Sequence, residues 1–303
     1  MPIIIPTMFT LRIPATSANL GPGFDCLGLA LDLWNEVTFS VEGDKVTYTV
    51  TGAGATKLNR RRRNLVTKAF YRSYEVCGVT PPEGVRIQSQ NGIPPGSGLG
   101  SSAAAILAGL CGANEILGQP FDQESLLKLG SDLEGHPDNI APALLGGLII
   151  SVLVDDQIVT RRYEIPEITI VIATPKVNWP THLARSVLPD SVLRSDAVFN
   201  ISRTLLVVEA LRNGDLDLLQ QMMEDRLHQP YRLAQIPGGQ AAWQAGRQFG
   251  ACALSGAGPS VIAFIPAQDA NQALMGMLSA FKNNGVKAQA ITTKPSLVGI
   301  YKL

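Results

Sequence analysis

The chain has 303 residues, 46% of them hydrophobic and 17% charged, and its 25 Lys plus Arg balance 25 Asp plus Glu. That composition can bury a large core, reads as two domains in one globular protein and excludes a disordered chain. With no net charge, no general field draws it to nucleic acid or an anionic membrane, so small molecules are the expected partners.

The apolar opening MPIIIPTMF carries no basic leader and is broken by Pro2 and Pro6. It reads as the approach to a first strand and not as a signal peptide. EVTFSV and DKVTYTVTG, set between Gly, Asp and Asn turn signals, predict an antiparallel β region in the first third. NRRRRNLV (59–66) is one basic run on a neutral chain and reads as a solvated surface. From Ser101 or Ser102, SSAAAILAGLCGANEILG predicts a helix with hydroxyl caps at its start, Gly118 just past its end and Pro120 beyond. Its one charge, Glu115, implies that most of its faces are buried. A second helix is expected from Asp122 to Glu134, stopped by Gly135 and Pro137. Asp138 is then expected to cap NIAPALL, ahead of Gly146-Gly147 and a strand at 148–154. The domain boundary falls near residue 163, dividing 1–162 from 163–303. The second domain opens with ITIVIATP (168–175), runs through helices around 197–225 and returns to strand in GACALSGAGPSVIAFIP and SLVGIYKL. The longest apolar run, APALLGGLIISVLV (141–154), is shorter than the roughly 20 residues of a membrane span, so a soluble protein is expected. Cys26, Cys77, Cys111 and Cys252 form no CxxC pair, which argues against zinc and a disulfide framework and fits a reduced cytoplasm.

The stretch NGIPPGSGLGSSAAA (91–105) sets a glycine-rich loop ahead of the buried helix. Counting from Gly92 or Gly96 never reaches the Gly-Lys pair of a P-loop, and Ser101 stands where a dinucleotide motif needs Gly. No GxSxG elbow is present. Two readings stay open on the loop alone: a tight turn with capping serines, or free amides at a helix N-terminus that hold a phosphate.

PPGSGLGSSAA resembles the PxxxGLGSSAA signature of the GHMP kinase superfamily. PATSANLGPGFDCLGLAL (14–31) resembles its N-terminal motif and LSGAGPSVIAF (254–264) its C-terminal glycine motif. Within the superfamily, SANLGPGFDCLGLAL, EGHPDNIAPALLGG, THLARSVLP and RLHQPYR are most similar to the homoserine kinase family. The resemblance implies an α+β, two-domain GHMP kinase fold: a ribosomal protein S5 domain 2-like N-terminal domain and a ferredoxin-like C-terminal domain, with ATP and substrate in the cleft between them. It also implies a homodimer.

L-Homoserine carries an ammonium, a carboxylate and the hydroxyl to be phosphorylated. The resemblance assigns Asn19, Asp25 and Asp138 to the substrate, together with Arg185 and Arg232, whose guanidinium groups suit a carboxylate. Without it, Asp25 reads as a turn residue, Asp138 as a helix cap and the arginines as solvated charges. ATP would lie against Asn64 and the loop Pro95, Gly96, Ser97, Gly98, Leu99, Gly100, Ser101 and Ser102, with Leu65 and Val66 near the adenine. Mg²⁺, which takes oxygen ligands, would be held by Ser102 and Glu134. Asn139 would orient the reacting hydroxyl with Thr181 as a polar helper, since an amide cannot act as a base near neutral pH. His136, His182 and His228 lack metal-ligand spacing, and His136 reads as structural support. Two other readings compete: another superfamily kinase such as a mevalonate-type enzyme, disfavoured by the paired acids, and a catalytically silent sensor of ATP or metabolite.

Overall fold

The computed structural model describes residues 8–60 and 64–303; Pro2, Pro6 and most of the arginine run lie outside them. Strand β1 (Met8–Ala18) pairs antiparallel with the long β2 (Leu27–Ser40). The ladder shifts between Pro14 and Ala15, where proline supplies no N–H. β3 (Val46–Gly52) leads through the short α1 (Ala55–Leu58) and α2 (Leu65–Cys77) to β4 (Val85–Asn91). A helical crossover returns the chain to the same end of the sheet, so β3 and β4 pair parallel, Val46 beside Val85. The uniformly antiparallel region expected from the sequence is corrected on that point.

α3 (Ser101–Ile116) is buried almost all round, as its single charge predicts. Its cap differs from expectation: Gly100 stands at the N-cap with φ 68°, and no side chain bonds the first amides. α4 (Gln123–Glu134) starts as expected, with Asp122 accepting from the Ser125 amide at 2.8 Å, and ends at Gly135. α5 (Pro137–Leu145) takes Asp138 into its first turn, so His136 stands at the N-cap and Asp138 caps nothing. β5 (Leu148–Val154) and β6 (Gln157–Tyr163) form a hairpin attached to β2.

The second half runs β7 (Thr169–Pro175), α6 (Thr181–Ser186), α7 (Arg194–Asn213), α8 (Leu216–Met222), α9 (Gln229–Leu233), α10 (Gly239–Arg247), β8 (Ala251–Leu254), β9 (Val261–Ile265), α11 (Ala270–Asn283) and β10 (Ala288–Thr293). Its strands make an antiparallel sheet in the order β10-β7-β9-β8. Alternation along the strands divides the side chains between two cores. Val171, Ala173, Val261 and Ala263 pack with Met277 and Phe281 of α11. Ile170, Ile172, Ile262 and Phe264 join the larger core, which takes in Val207 and Leu211 of α7 and continues through α3 into the first sheet. The expected terminal strand is short: β11 (Tyr301–Lys302) lies on β1, with Leu11 beside Lys302. Ahead of it the chain is stitched to the first half by backbone bonds from Asp32 N to Lys294 O (2.8 Å), Ser296 N to Ala30 O (2.9 Å) and Ile300 N to Ala143 O (2.8 Å). Two sheets with helices packed on them make the α+β architecture the motifs implied. No helix among the described residues is long and apolar enough to cross a membrane.

Candidate active site

Residues from both halves enclose a cleft with two compartments. The smaller, about 100 Å³, is polar: α5 and its approach contribute His136, Asp138 and Asn139, while α6 and α9 contribute Arg185 and Arg232. The larger, about 400 Å³, is lined by Tyr48, Asn64, Leu65, Val66, Pro95 and Trp179. Gly96, Ser101, Ser102 and Thr181 border both. The start of α3 therefore lies at the junction, with its uncapped amides and the positive end of the helix dipole.

The glycines of the loop serve different ends. A Cβ on Gly98 would fall 2.4 Å from the Ser255 carbonyl and 2.6 Å from that of Gly258. One on Gly100 would fall 2.0 Å from the Thr16 hydroxyl. Only Gly96, with φ 68°, has open space on its side-chain side. Two of the three loop glycines thus let protein approach the loop on its side-chain side, while all three still border the small compartment. The side chain of Leu99 is buried in the core and lines neither compartment. The C-terminal glycine motif clasps the loop from behind, with Ser255 Oγ donating to the Gly98 carbonyl at 2.8 Å and the Ser260 amide to Ser97 O at 3.1 Å. Asn64 caps α2, accepting from the Thr67 amide at 2.8 Å, which places Leu65 and Val66 at the larger compartment.

At the far end of the small compartment Asp25 and Arg185 form a bidentate pair, both bonds 3.0 Å. Both side chains are partly exposed, 39% and 42%, so solvent weakens the pair and a competing ligand can open it. Asp25 has φ 57°, and its amide is held by Asn19 Oδ1 at 3.0 Å while Asn19 Nδ2 donates to Gly256 O at 2.8 Å. Arg232 is buried and donates to Ala184 O at 3.0 Å. Burial pulls its pKa down to about 10 against the charge of Asp25.

The opposite wall is acidic. Ser102 Oγ donates to Glu134 Oε2 at 2.6 Å. Burial raises the Glu134 pKa, with the Ser102 bond and His136 opposing. Burial works against a charged His136, but its hydrogen bond to Asp138 (2.5 Å), the Asp138 charge and the Glu134 charge outweigh it and raise its pKa. Asn139 is buried, with Nδ2 3.3 Å from Asp138 Oδ1 and Oδ1 accepting from Thr16 at 2.8 Å. Gly28 makes this approach possible, since a Cβ there would meet the Asp138 carbonyl at 2.0 Å.

Residues 64–147 match the model of the GHMP kinases N terminal domain and 207–283 that of the GHMP kinases C terminal. A homoserine kinase of Moorella thermoacetica is 44% identical over 91% of this chain and 94% of its own. The chain belongs to the homoserine kinase family of the GHMP kinases. A second family member, the homoserine kinase of Carboxydothermus hydrogenoformans, is 41% identical over 98% of this chain and 97% of its own. The crystal structure of homoserine kinase from Cytophaga hutchinsonii superposes with a TM-score of 0.84 at 29% identity, covering 99% and 98% of the two chains. The protein is thus a kinase and uses ATP. Apart from the side chain of Leu99, every residue that the family resemblance singled out borders one of the two compartments. Sequence reasoning passed over Thr16 and Ser255, although both lie inside quoted motifs. Their contacts link stretches far apart in the chain, which no local spacing discloses.

Proposed function

We infer that the protein transfers the γ-phosphoryl group of ATP to the hydroxyl of L-homoserine, giving O-phospho-L-homoserine for threonine biosynthesis. The observation that carries this is the pairing of compartments: a small one whose far end offers acidic Asp25 and Asp138 with cationic Arg185 and Arg232, joined at the α3 N-terminus to one four times its volume. An amino acid can exchange into the Asp25–Arg185 pair, its ammonium facing Asp25 and Asp138 and its carboxylate Arg185 and Arg232, with Asn19 bracing Asp25. ATP would place its base beside Asn64, Leu65 and Val66 and its phosphates along Pro95, Gly96, Ser97, Gly98, Gly100, Ser101 and Ser102. Leu99 contributes only its place in the backbone.

Ser102 and Glu134 offer the hard oxygen donors that suit Mg²⁺, which here would come with the nucleotide phosphates as its other ligands. When bound, it neutralises charge on the transferring group. Asn139 and Thr181 orient the attacking hydroxyl. No base is required in a loose phosphoryl-transfer transition state, where the attacking oxygen has formed little bond and its proton leaves late. We also propose the domain division near residue 163, residence in the cytoplasm, and a homodimer supported by the exposed apolar Val198, Ile201 and Leu205 of α7. Ile201→Glu should lower the sedimenting mass if that face pairs.

Mevalonate lacks an ammonium and would leave Asp25 and Asp138 unmatched. ADP release measured with homoserine, threonine, serine, mevalonate and galactose is the test. Homoserine should be the best acceptor; faster turnover of mevalonate or galactose, or no turnover at all, would refute the assignment.

A further inference from the structure

Behind the small compartment, Thr16 sets a hydroxyl against the side chain of Asn139. It is fully buried in β1 beyond the shift at Pro14, and its amide donates to Leu99 O at 3.2 Å. Its hydroxyl donates to Asn139 Oδ1 at 2.8 Å, and Asn139 Nδ2 lies 3.3 Å from Asp138 Oδ1. This pattern fixes which way round the amide sits. The Asp138 carboxylate, paired with the His136 imidazole, is an acceptor, so the amide atom facing it must be the nitrogen. A reversed amide would set oxygen against oxygen there. The hydroxyl of Thr16 can rotate to donate to the remaining oxygen. One N–H of Asn139 then serves Asp138, and the second is left for an oxygen in the small compartment.

We propose that Thr16 is a positioning residue for phosphoryl transfer: its hydroxyl holds the Asn139 amide so that Nδ2, and not Oδ1, serves the reacting oxygens. This rests on the orienting role of Asn139 inferred above. The acceptor atom of the amide is engaged by Thr16, so Asn139 meets the cleft as a donor. Gly100 completes the arrangement, because any Cβ there would displace the Thr16 hydroxyl. The glycine-rich loop and the Asn139 amide are therefore both held by one buried residue, the first through the Thr16 amide and the second through its hydroxyl.

The test is steady-state kinetics on Thr16→Val, Thr16→Ser, Asn139→Ala and the Thr16→Val/Asn139→Ala double variant. Thr16→Val keeps the shape and removes the donor. Its kcat should fall about ten- to a hundred-fold, with both KM values within about twofold, because a misplaced group near the reacting atoms costs rate more than ground-state binding. Thr16→Ser should recover most of the loss. Added to Asn139→Ala, Thr16→Val should change kcat by less than about twofold, since the two act as a unit. Wild-type kcat in Thr16→Val, or the same fold-loss on both backgrounds, overturns the proposal. Asn139→Ala with wild-type kcat overturns both it and the role of Asn139, whereas a slow Asn139→Ala beside a fast Thr16→Val overturns the role of Thr16 alone. Thr16→Ala replaces Thr16→Val if circular dichroism shows the latter unfolded.

Discussion

Gly100 and Gly96 have the same left-handed backbone, φ 68° in each, yet their missing side chains face different things. A methyl on Gly100 strikes Thr16, whereas one on Gly96 enters open space beside both compartments. Gly100→Ala should therefore lower stability by about 2 kcal/mol or more, from the left-handed backbone and the overlap together, and disturb Asn139 as well. Gly96→Ala should cost only about 1–2 kcal/mol of backbone strain and raise KM for ATP. Thermal melts beside ATP titrations separate the two; equal effects on ATP binding would contradict the assignment. His136 offers a second residue-level test. Its folded pKa lies above the unfolded value of 6.5, so its contribution is complete below pH 6.5 and fades as pH rises through the folded value. The difference in melting temperature between wild type and His136→Gln should shrink from pH 6 to pH 9. A difference that grows with pH would show that the imidazole is neutral in the fold.

Single elements carry the site in pairs. Thr181 and Arg185 stand one turn apart on α6, so that helix presents both side chains to the small compartment, where we propose they serve as polar helper and carboxylate ligand. Arg185→Ala should chiefly raise KM for homoserine, roughly ten- to a hundred-fold, with little change in KM for ATP, because in the proposed role it would hold the carboxylate alike in ground and transition states. A fall in kcat with unchanged homoserine KM would move Arg185 to the phosphoryl group. The glycine-rich loop is held by a neighbour distant in the chain, the β8–β9 turn that bonds Gly98 through Ser255. Ser255→Ala should cost about 1 kcal/mol and raise KM for ATP, measurable by denaturant melts and initial rates. Unaltered ATP kinetics would mean that the loop holds its shape without the clasp. Much of this was legible in the sequence: the ends of α4 followed from Asp122 and Gly135, and the burial of α3 from its single charge. What was not legible depended on partners far along the chain. The packing of Ser255 and Gly258 against Gly98, and of Thr16 against Gly100, is invisible to local spacing. Asp138 read as a cap because its partner His136 lies outside the helix, and the parallel pairing of β3 and β4 appears only once α2 is seen to cross over.

At the scale of the whole molecule, residues 294–303 are woven into the first half. Residues 294–303 bond to β1, β2 and α5, and α5 carries Asp138 and Asn139. Removing residues 294–303 should therefore abolish turnover as well as lower stability by several kcal/mol, with each lost buried backbone bond leaving a partner unsatisfied. Activity assays and melts of the shortened protein check this; full kcat without the tail would show that α5 is anchored by its other contacts alone. The same weave governs how the protein can be made. In synthesis β1 emerges long before β11, so the first half must wait with the β1 edge of its sheet unpaired and α5 short of its backbone bond from Ile300. In a synchronised translation reaction, enzyme activity should then appear only after residues 294–303 have emerged, and not on completion of the first half.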